Sequence, residues 1–177
     1  MLLTAGHRAL GSALSVLYTT LNNLNHMDKQ ARIYIVALRM ALGWLFFYAG
    51  ITKLVNPAWS AAPYISAAKT FGGLYSWFTT PGVIDVVNVL NEWGLTLIGV
   101  SLIVGAFVRV SSVLGVVLMV LYYLPILDFP TVGAHGYIVD EHVIYAAALL
   151  VLYATKSGHV CGADVRLKKI TWLKKVI

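Results

Sequence analysis

The chain has 177 residues, 59% apolar and only 11% charged, with a mean hydropathy of +0.80. An ordinary soluble domain, at about 45–50% apolar and about 25% charged, is excluded, as is a disordered chain. A single cysteine, Cys161, excludes an internal disulfide, a Cys-only zinc site and an iron–sulfur cluster held by this chain alone.

Residues 1–30 open with Leu3, Leu10, Leu14, Leu17, Leu21 and Leu24 on one stripe, and His7, Arg8, Ser12, Ser15, Asn22 and Asn23 off it. That pattern predicts an amphipathic helix lying along a membrane or against a partner. A cleaved signal peptide is the rival reading, but the positive leading region is thin and no A-x-A-like site follows.

Residues 31–156 predict four spans, because crossing the hydrocarbon takes ~20 apolar residues as a helix. They cover about 33–55, ended by Asn56-Pro57; 84–108, opened by Pro81-Gly82; 110–127, ended by Asp128 and Pro130; and 137–154, followed by Lys156, Ser157 and Gly158. Runs such as Ile98–Val104 do not alternate, which argues against a β-barrel. The expected fold is an all-α integral membrane protein, a four-transmembrane-helix bundle with an N-terminal amphipathic helix. Its first connection, residues 56–83, is aromatic-rich through Trp59, Tyr64, Phe71, Tyr75, Trp77 and Phe78. An interfacial aromatic belt is favoured there over a ligand lid, with a short helix around Ala61–Thr70. Residues 157–177 form a basic tail.

The net charge of +6 is first a topology signal. Arg8, Lys29, Arg32, Arg109, Lys156, Arg166, Lys168, Lys169, Lys174 and Lys175 fall on one side of the predicted spans, and Lys53 and Lys69 on the other. By the positive-inside bias both termini are cytoplasmic in a multi-pass protein of the cell membrane. These cations hug membrane ends, so the bilayer is the expected partner and nucleic acid is not.

Ionisable groups inside spans are costly unless paired or wet, which makes each a functional candidate. The second span carries a polar face of Asp85, Asn88, Glu92, Thr96 and Gly99. Chain direction places Lys53, Glu92, Tyr122, Tyr123, Glu141 and His142 near the outer end. Lys53, Glu92, Glu141, His142 and one of the two tyrosines form a candidate outward-facing pocket, with Glu92 and His142 handling protons and Lys53, Glu141 and Tyr122 binding substrate. Arg39 is a further candidate for placing an anion, but it lies ~21 Å from Lys53 along the helix. Its expected neighbours are therefore Arg109, Ser112 and Asp164 at the inner end. The alternative for the outer set is structural ion pairing, Lys53 with Asp85 or Glu92. Asp85 and Asp140 read as solvated helix ends. No metal site and no covalently held cofactor is expected. His7, His26 and His159 fall in tails and His135 in a loop, so only His142 borders a span. A quinone fits these limits, since it needs only an apolar slot and a few hydrogen-bonding groups.

Several short motifs occur in a set order. Arg39-x-x-x-Gly43 and Gly50-x-x-Lys53-Leu54 lie in the first span. Glu92-Trp93-Gly94, Gly99, Gly105 and Arg109 follow, and then Gly158-x-x-x-Gly162-x-Asp164. Over about residues 33–166 the chain resembles the DoxX/DoxD family. The long first connection with Asn56-Pro57-Ala58-Trp59 is similar to the DoxD branch, the membrane subunit associated with thiosulfate:quinone oxidoreductase. The resemblance implies one or more partner subunits in a membrane complex and electron delivery to membrane quinone, with thiosulfate as one donor. It assigns no catalytic residue. A non-catalytic structural or assembly subunit is the alternative expectation, and a small-solute carrier the third, although neither a repeat nor a discontinuous helix is evident.

Overall fold

The computed structural model describes residues 2–133 and 136–167, and for residues 2–27 the backbone alone. It is mostly helical: α1 (Leu2–Leu54), α2 (Ala62–Ser66), α3 (Gly72–Phe78), α4 (Val83–Val104), α5 (Val108–Ile126), α6 (Glu141–Ala154) and α7 (Asp164–Leu167), with a 3₁₀ turn at Ser157–His159. Between α5 and α6, three two-residue strands, β1 (Leu127–Asp128), β2 (Thr131–Val132) and β3 (Gly136–Tyr137), form an antiparallel meander. The chain divides into two compact units, Met1–Ile35 and Val36–Ile177. The first is helical backbone from Leu2 onward. Its side chains before Asp28, which would test the amphipathic stripe, lie outside the described residues, as do Lys168, Lys169, Lys174 and Lys175 of the tail.

Among the described residues, three helices are long and apolar enough to cross a membrane: Asp28–Leu54, Val83–Val104 and Val108–Ile126. The region expected to make a fourth span begins later than residue 137, because residues 136–137 pair with β2 and α6 starts only at Glu141. The start is set by Asp140, whose side chain accepts from the His142 and Val143 backbone N–H groups and so caps the helix. Fourteen residues of helix reach only ~21 Å.

Small residues decide how the second unit packs. A Cβ at Gly99 would overlap the backbone of Phe47, and one at Gly50 would overlap Thr96, so α1 and α4 touch nearly backbone to backbone. Helix α6 runs antiparallel along α5, with Tyr153 bonded to Arg109 at one end, Leu149 seated over Gly115, and His142 beside Tyr122 at the other. Phe46, Leu102, Val108, Leu149 and Leu152 are fully buried between these helices.

The inner end expected for Arg39 is a latch. Arg39 is 2% exposed, and its guanidinium donates to the carbonyls of Ser157 at 2.5 Å, Val160 at 3.0 Å and Cys161 at 3.2 Å. Asp164, 1% exposed, accepts from the Phe107 N–H at 2.7 Å and the Val108 N–H at 3.4 Å. It thus caps α5, whose own N-cap residue, Phe107, supplies no side-chain bond. Gly105 makes room for this crossing. Its φ is +72°, and a Cβ there would stand 2.6 Å from Gly162 Cα and 3.0 Å from Arg39 Nη1.

Candidate functional site

The connection between α1 and α4 folds back over the opposite end of the bundle. Ala61, Ile65 and Tyr75 are buried there, with Trp59, Phe78, Val87 and Leu124 packed around them. Its polar groups serve the end of α5. Pro125 lies inside α5 and has no N–H, so the Leu121 carbonyl loses its intrahelical donor. The Tyr75 hydroxyl donates to that carbonyl at 3.0 Å. The Tyr64 hydroxyl donates to the Tyr122 carbonyl at 2.6 Å, the Lys69 N–H to the Pro125 carbonyl at 2.9 Å, and the Thr70 hydroxyl to the Leu127 carbonyl at 2.5 Å. The connection is thus a lid tied by hydrogen bonds as well as an aromatic surface. Phe71 and Trp77 stay exposed, whereas Tyr75 is 2% exposed.

Beneath the lid lie two adjoining spaces. One is an apolar slot of about 190 Å³, walled by residues such as Ile65, Tyr75, Phe78, Leu90 and Leu118. The other is a polar cleft of about 300 Å³ lined by Lys53, Trp59, Ser60, His142 and their neighbours. Ala61, Tyr64, Asn91 and Tyr122 wall both.

Lys53, at the last turn of α1, points its ammonium at two aromatic faces. Nζ lies 5.1 Å from the Trp59 ring centroid and 5.6 Å from that of Tyr122, and donates to Tyr122 Oη at 3.4 Å. Tyr122 Oη also accepts from Asn91 Nδ2 at 2.5 Å. Asn91 is 7% exposed, and its Oδ1 is buried with no partner among the described residues. Across the cleft the His142 ring lies 5.8 Å from the Tyr122 ring, and its Nδ1 is 2.5 Å from Asp140 Oδ2. Asp140 is therefore no solvated end: it caps α6 and holds the imidazole together. Burial pushes the Tyr64 phenol up to about 12, with Tyr122 and Asp140 adding to the effect, and burial also raises Tyr75. Both hydroxyls stay protonated and available as donors.

Of the residues singled out from sequence, Lys53, Tyr122 and His142 meet at this cleft. Glu92 does not line it. Glu92 is half-buried on α4, its carbonyl accepts from Thr96 Oγ1 at 2.7 Å, and no ion pair joins it to Lys53. Among the described residues Lys69 pairs with Asp128, and Asp140 bonds His142, so the alternative pairing of Lys53 with Asp85 or Glu92 is not formed. Glu141 is exposed and accepts from Tyr145 Oη at 3.4 Å. Arg39 belongs to the latch at the other end. Asn91, Trp59 and Asp140 were not singled out as site residues. Asn91 lies three positions after Asn88 on α4, a spacing that shares a helix face, and Asn88 Oδ1 accepts the Ala61 N–H at 2.9 Å beside the same cleft. No group of three or more potential metal ligands occurs among the described residues.

No curated protein and no solved structure gives a match to the chain. The model of the DoxX family matches residues 34–126, more than half of the chain and most of the helices that build the cleft. With three helices suited to crossing a bilayer, the chain is a multi-pass membrane protein, and it belongs to the DoxX family.

Proposed function

We propose that this chain is the quinone-binding membrane subunit of a redox complex of the DoxD type. The observation that carries the reading is the shared wall between an apolar slot and a polar cleft. An amphiphile with a ring bearing oxygens and a hydrocarbon tail fits such a pair of spaces. The residues suit the head group: Lys53 and Tyr122 offer donors, Asn91 presents a buried acceptor without a partner, and His142 stands opposite. The slot, walled by Leu90, Leu118 and Leu121, takes the start of the tail and opens toward the hydrocarbon. A bound quinone would supply the acceptor for electrons and protons. The chain's own residues orient its oxygens and keep water from the slot. Lys53, with no carboxylate at ion-pair distance among the described residues, suits either a quinone oxygen or an anionic sulfur donor such as thiosulfate.

The reading includes four crossings with both chain ends in the cytoplasm. It is supported by α6 lying antiparallel along α5, with the cap at Asp140 near Tyr122 and the Ser157 carbonyl bonded to Arg39 at the far end. The cations Arg109, Lys156 and Arg166 then gather on the latch side, as the positive-inside bias requires.

The test is purification in mild detergent with assay of co-purified quinone, followed by thiosulfate-dependent reduction of a short-chain quinone in the isolated complex. Bound quinone, and turnover lost in Tyr122→Phe, support the reading. A second reading, an assembly subunit without turnover, is favoured by one fact: the only cysteine, Cys161, lies at the latch end, away from the cleft. A complex that falls apart without this chain, yet turns over unchanged when Tyr122 and Lys53 are replaced, selects that reading.

A further inference from the structure

We propose that Asp140 and His142 act as a coupled pair at the cleft. Asp140 is a positioning residue that fixes the imidazole, and His142 presents Nε2 to an oxygen of the bound ring. The inference rests on the quinone reading of the same cleft.

The pair is built from one carboxylate with two tasks. Asp140 Oδ1 accepts from the backbone N–H of His142 at 3.0 Å and of Val143 at 3.2 Å, while Oδ2 lies 2.5 Å from His142 Nδ1. The side chains of His142 and Asp140 are 17% and 11% exposed. An ionised carboxylate only accepts, so Nδ1 carries the proton and the tautomer is set. Nε2 has no partner among the described residues, and the ring lines the cleft beside Tyr122. Neutral His142 therefore offers an acceptor at Nε2, and the imidazolium offers a donor.

The charges around the ring come from several elements. Lys53 on α1 opposes the imidazolium. Asp140 beside it and Glu141 at the first position of α6 favour it. Tyr64 on α2 and Tyr122 on α5 face the same space as neutral phenols, and Asn91 on α4 is uncharged.

A consequence follows that a merely structural histidine would not show. A quinone has carbonyl oxygens and takes a proton donor, so it binds better to the imidazolium. A hydroquinone has O–H groups and can donate to neutral Nε2. The two redox forms of one ligand should then show opposite pH trends in affinity. No electron transfer is needed to see this.

The experiment uses the purified full chain in detergent, a benzoquinone bearing one isoprene unit, and its hydroquinone kept reduced. Quenching of tryptophan fluorescence, to which Trp59 in the cleft wall contributes, reports binding between about pH 5 and 8, the range in which histidine changes charge. As pH rises across that range the wild type is expected to lose roughly three- to tenfold in quinone affinity and to gain in hydroquinone affinity. His142→Gln is expected to flatten both trends. Asp140→Asn keeps a side chain able to cap α6 but can also donate to Nδ1, so it no longer fixes the tautomer, and its quinone pH profile is expected to differ from that of the wild type. If His142→Gln does not fold, Asp140→Asn carries the test by itself. A wild-type pH profile retained in both variants overturns the pair while leaving the quinone reading intact. No binding of either form by the wild type at any pH overturns the quinone reading and the pair together.

Discussion

Tyr75 shows how much of the lid depends on single hydroxyls. Pro125 strips the Leu121 carbonyl of its helical donor, and Tyr75 Oη replaces it at a site that is 2% exposed. Tyr75→Phe leaves that carbonyl unpaired and is expected to cost about 1–3 kcal/mol, read as a lower melting temperature in detergent. Alkali should act on the same bonds. The Tyr64 phenol is raised to about 12 and Tyr75 is raised as well, so the folded chain resists an ionisation that the unfolded chain undergoes near pH 10. The stability these phenols contribute is complete below about pH 10 and is lost as pH rises toward 12. A melt series across that range should show the fall, and Tyr64→Phe with Tyr75→Phe should reduce it. A fall of the same size in the double variant would contradict the assignment. Much at this scale is hidden in the sequence. Lys53, Tyr122 and His142 can be brought together by counting chain direction and depth. Asp140 reads as a solvated end, because a cap and a histidine partner are acts of geometry that residue type alone does not reveal. Trp59 reads as belt because an aromatic at the interface has that explanation already.

At the scale of elements, the latch and the glycine contacts decide the packing. Arg39 satisfies three carbonyls of the segment that follows α6. Arg39→Leu leaves them without a donor and is expected to cost about 3–5 kcal/mol, the range seen when one member of a buried charged network is removed. Arg39→Lys should recover little, since an ammonium is a compact point charge and not a planar fork. Quantitative unfolding in mixed micelles would measure both; full stability of the lysine variant would show that the fork is not needed. On the other side of α1, Gly99→Leu would drive a side chain into the Phe47 backbone. It is expected to destabilise by about 1–3 kcal/mol, or to part α1 from α4. The existence of the helices is legible in hydropathy, and Asn56-Pro57 and Pro81-Gly82 mark the end of α1 and the start of α4, whereas α4 stops at Val104, before Gly105 and short of the residue 108 expected for the second span. That Arg39 lies far from Lys53 along α1 follows from rise per residue. What hydropathy does not reveal is that Asp164 caps α5 from 57 positions away. Nor does it reveal that residues 136–137 pair as strand and shorten α6, since a run of apolar residues looks alike in either state.

The second unit has two polar ends joined by apolar helices: a latch of carbonyls around Arg39, and an open cleft around Lys53. That asymmetry predicts a topology. Cys161 is exposed at the latch end, and Phe129, 78% exposed, follows α5 in the β1–β2 turn at the cleft end. In sealed cells an impermeant maleimide should reach Phe129→Cys, made in a Cys161→Ser background, while Cys161 of the wild type should react only after the membrane is opened. Labelling of Cys161 from outside would reverse the orientation and place the cleft on the cytoplasmic face. Membership of the DoxX family agrees with the bundle but leaves the ligand to chemistry, because sites and not folds carry function. The claim on which the account turns is that the slot and cleft hold a quinone. Photolabelling of the purified chain with an azidoquinone, followed by peptide mapping, tests it most directly. The account predicts label on residues lining the shared wall, Tyr64, Asn91 and Tyr122, and its loss when excess unmodified quinone competes. Label confined to the outer surfaces of α4 and α5, or label that excess quinone does not displace, would contradict it.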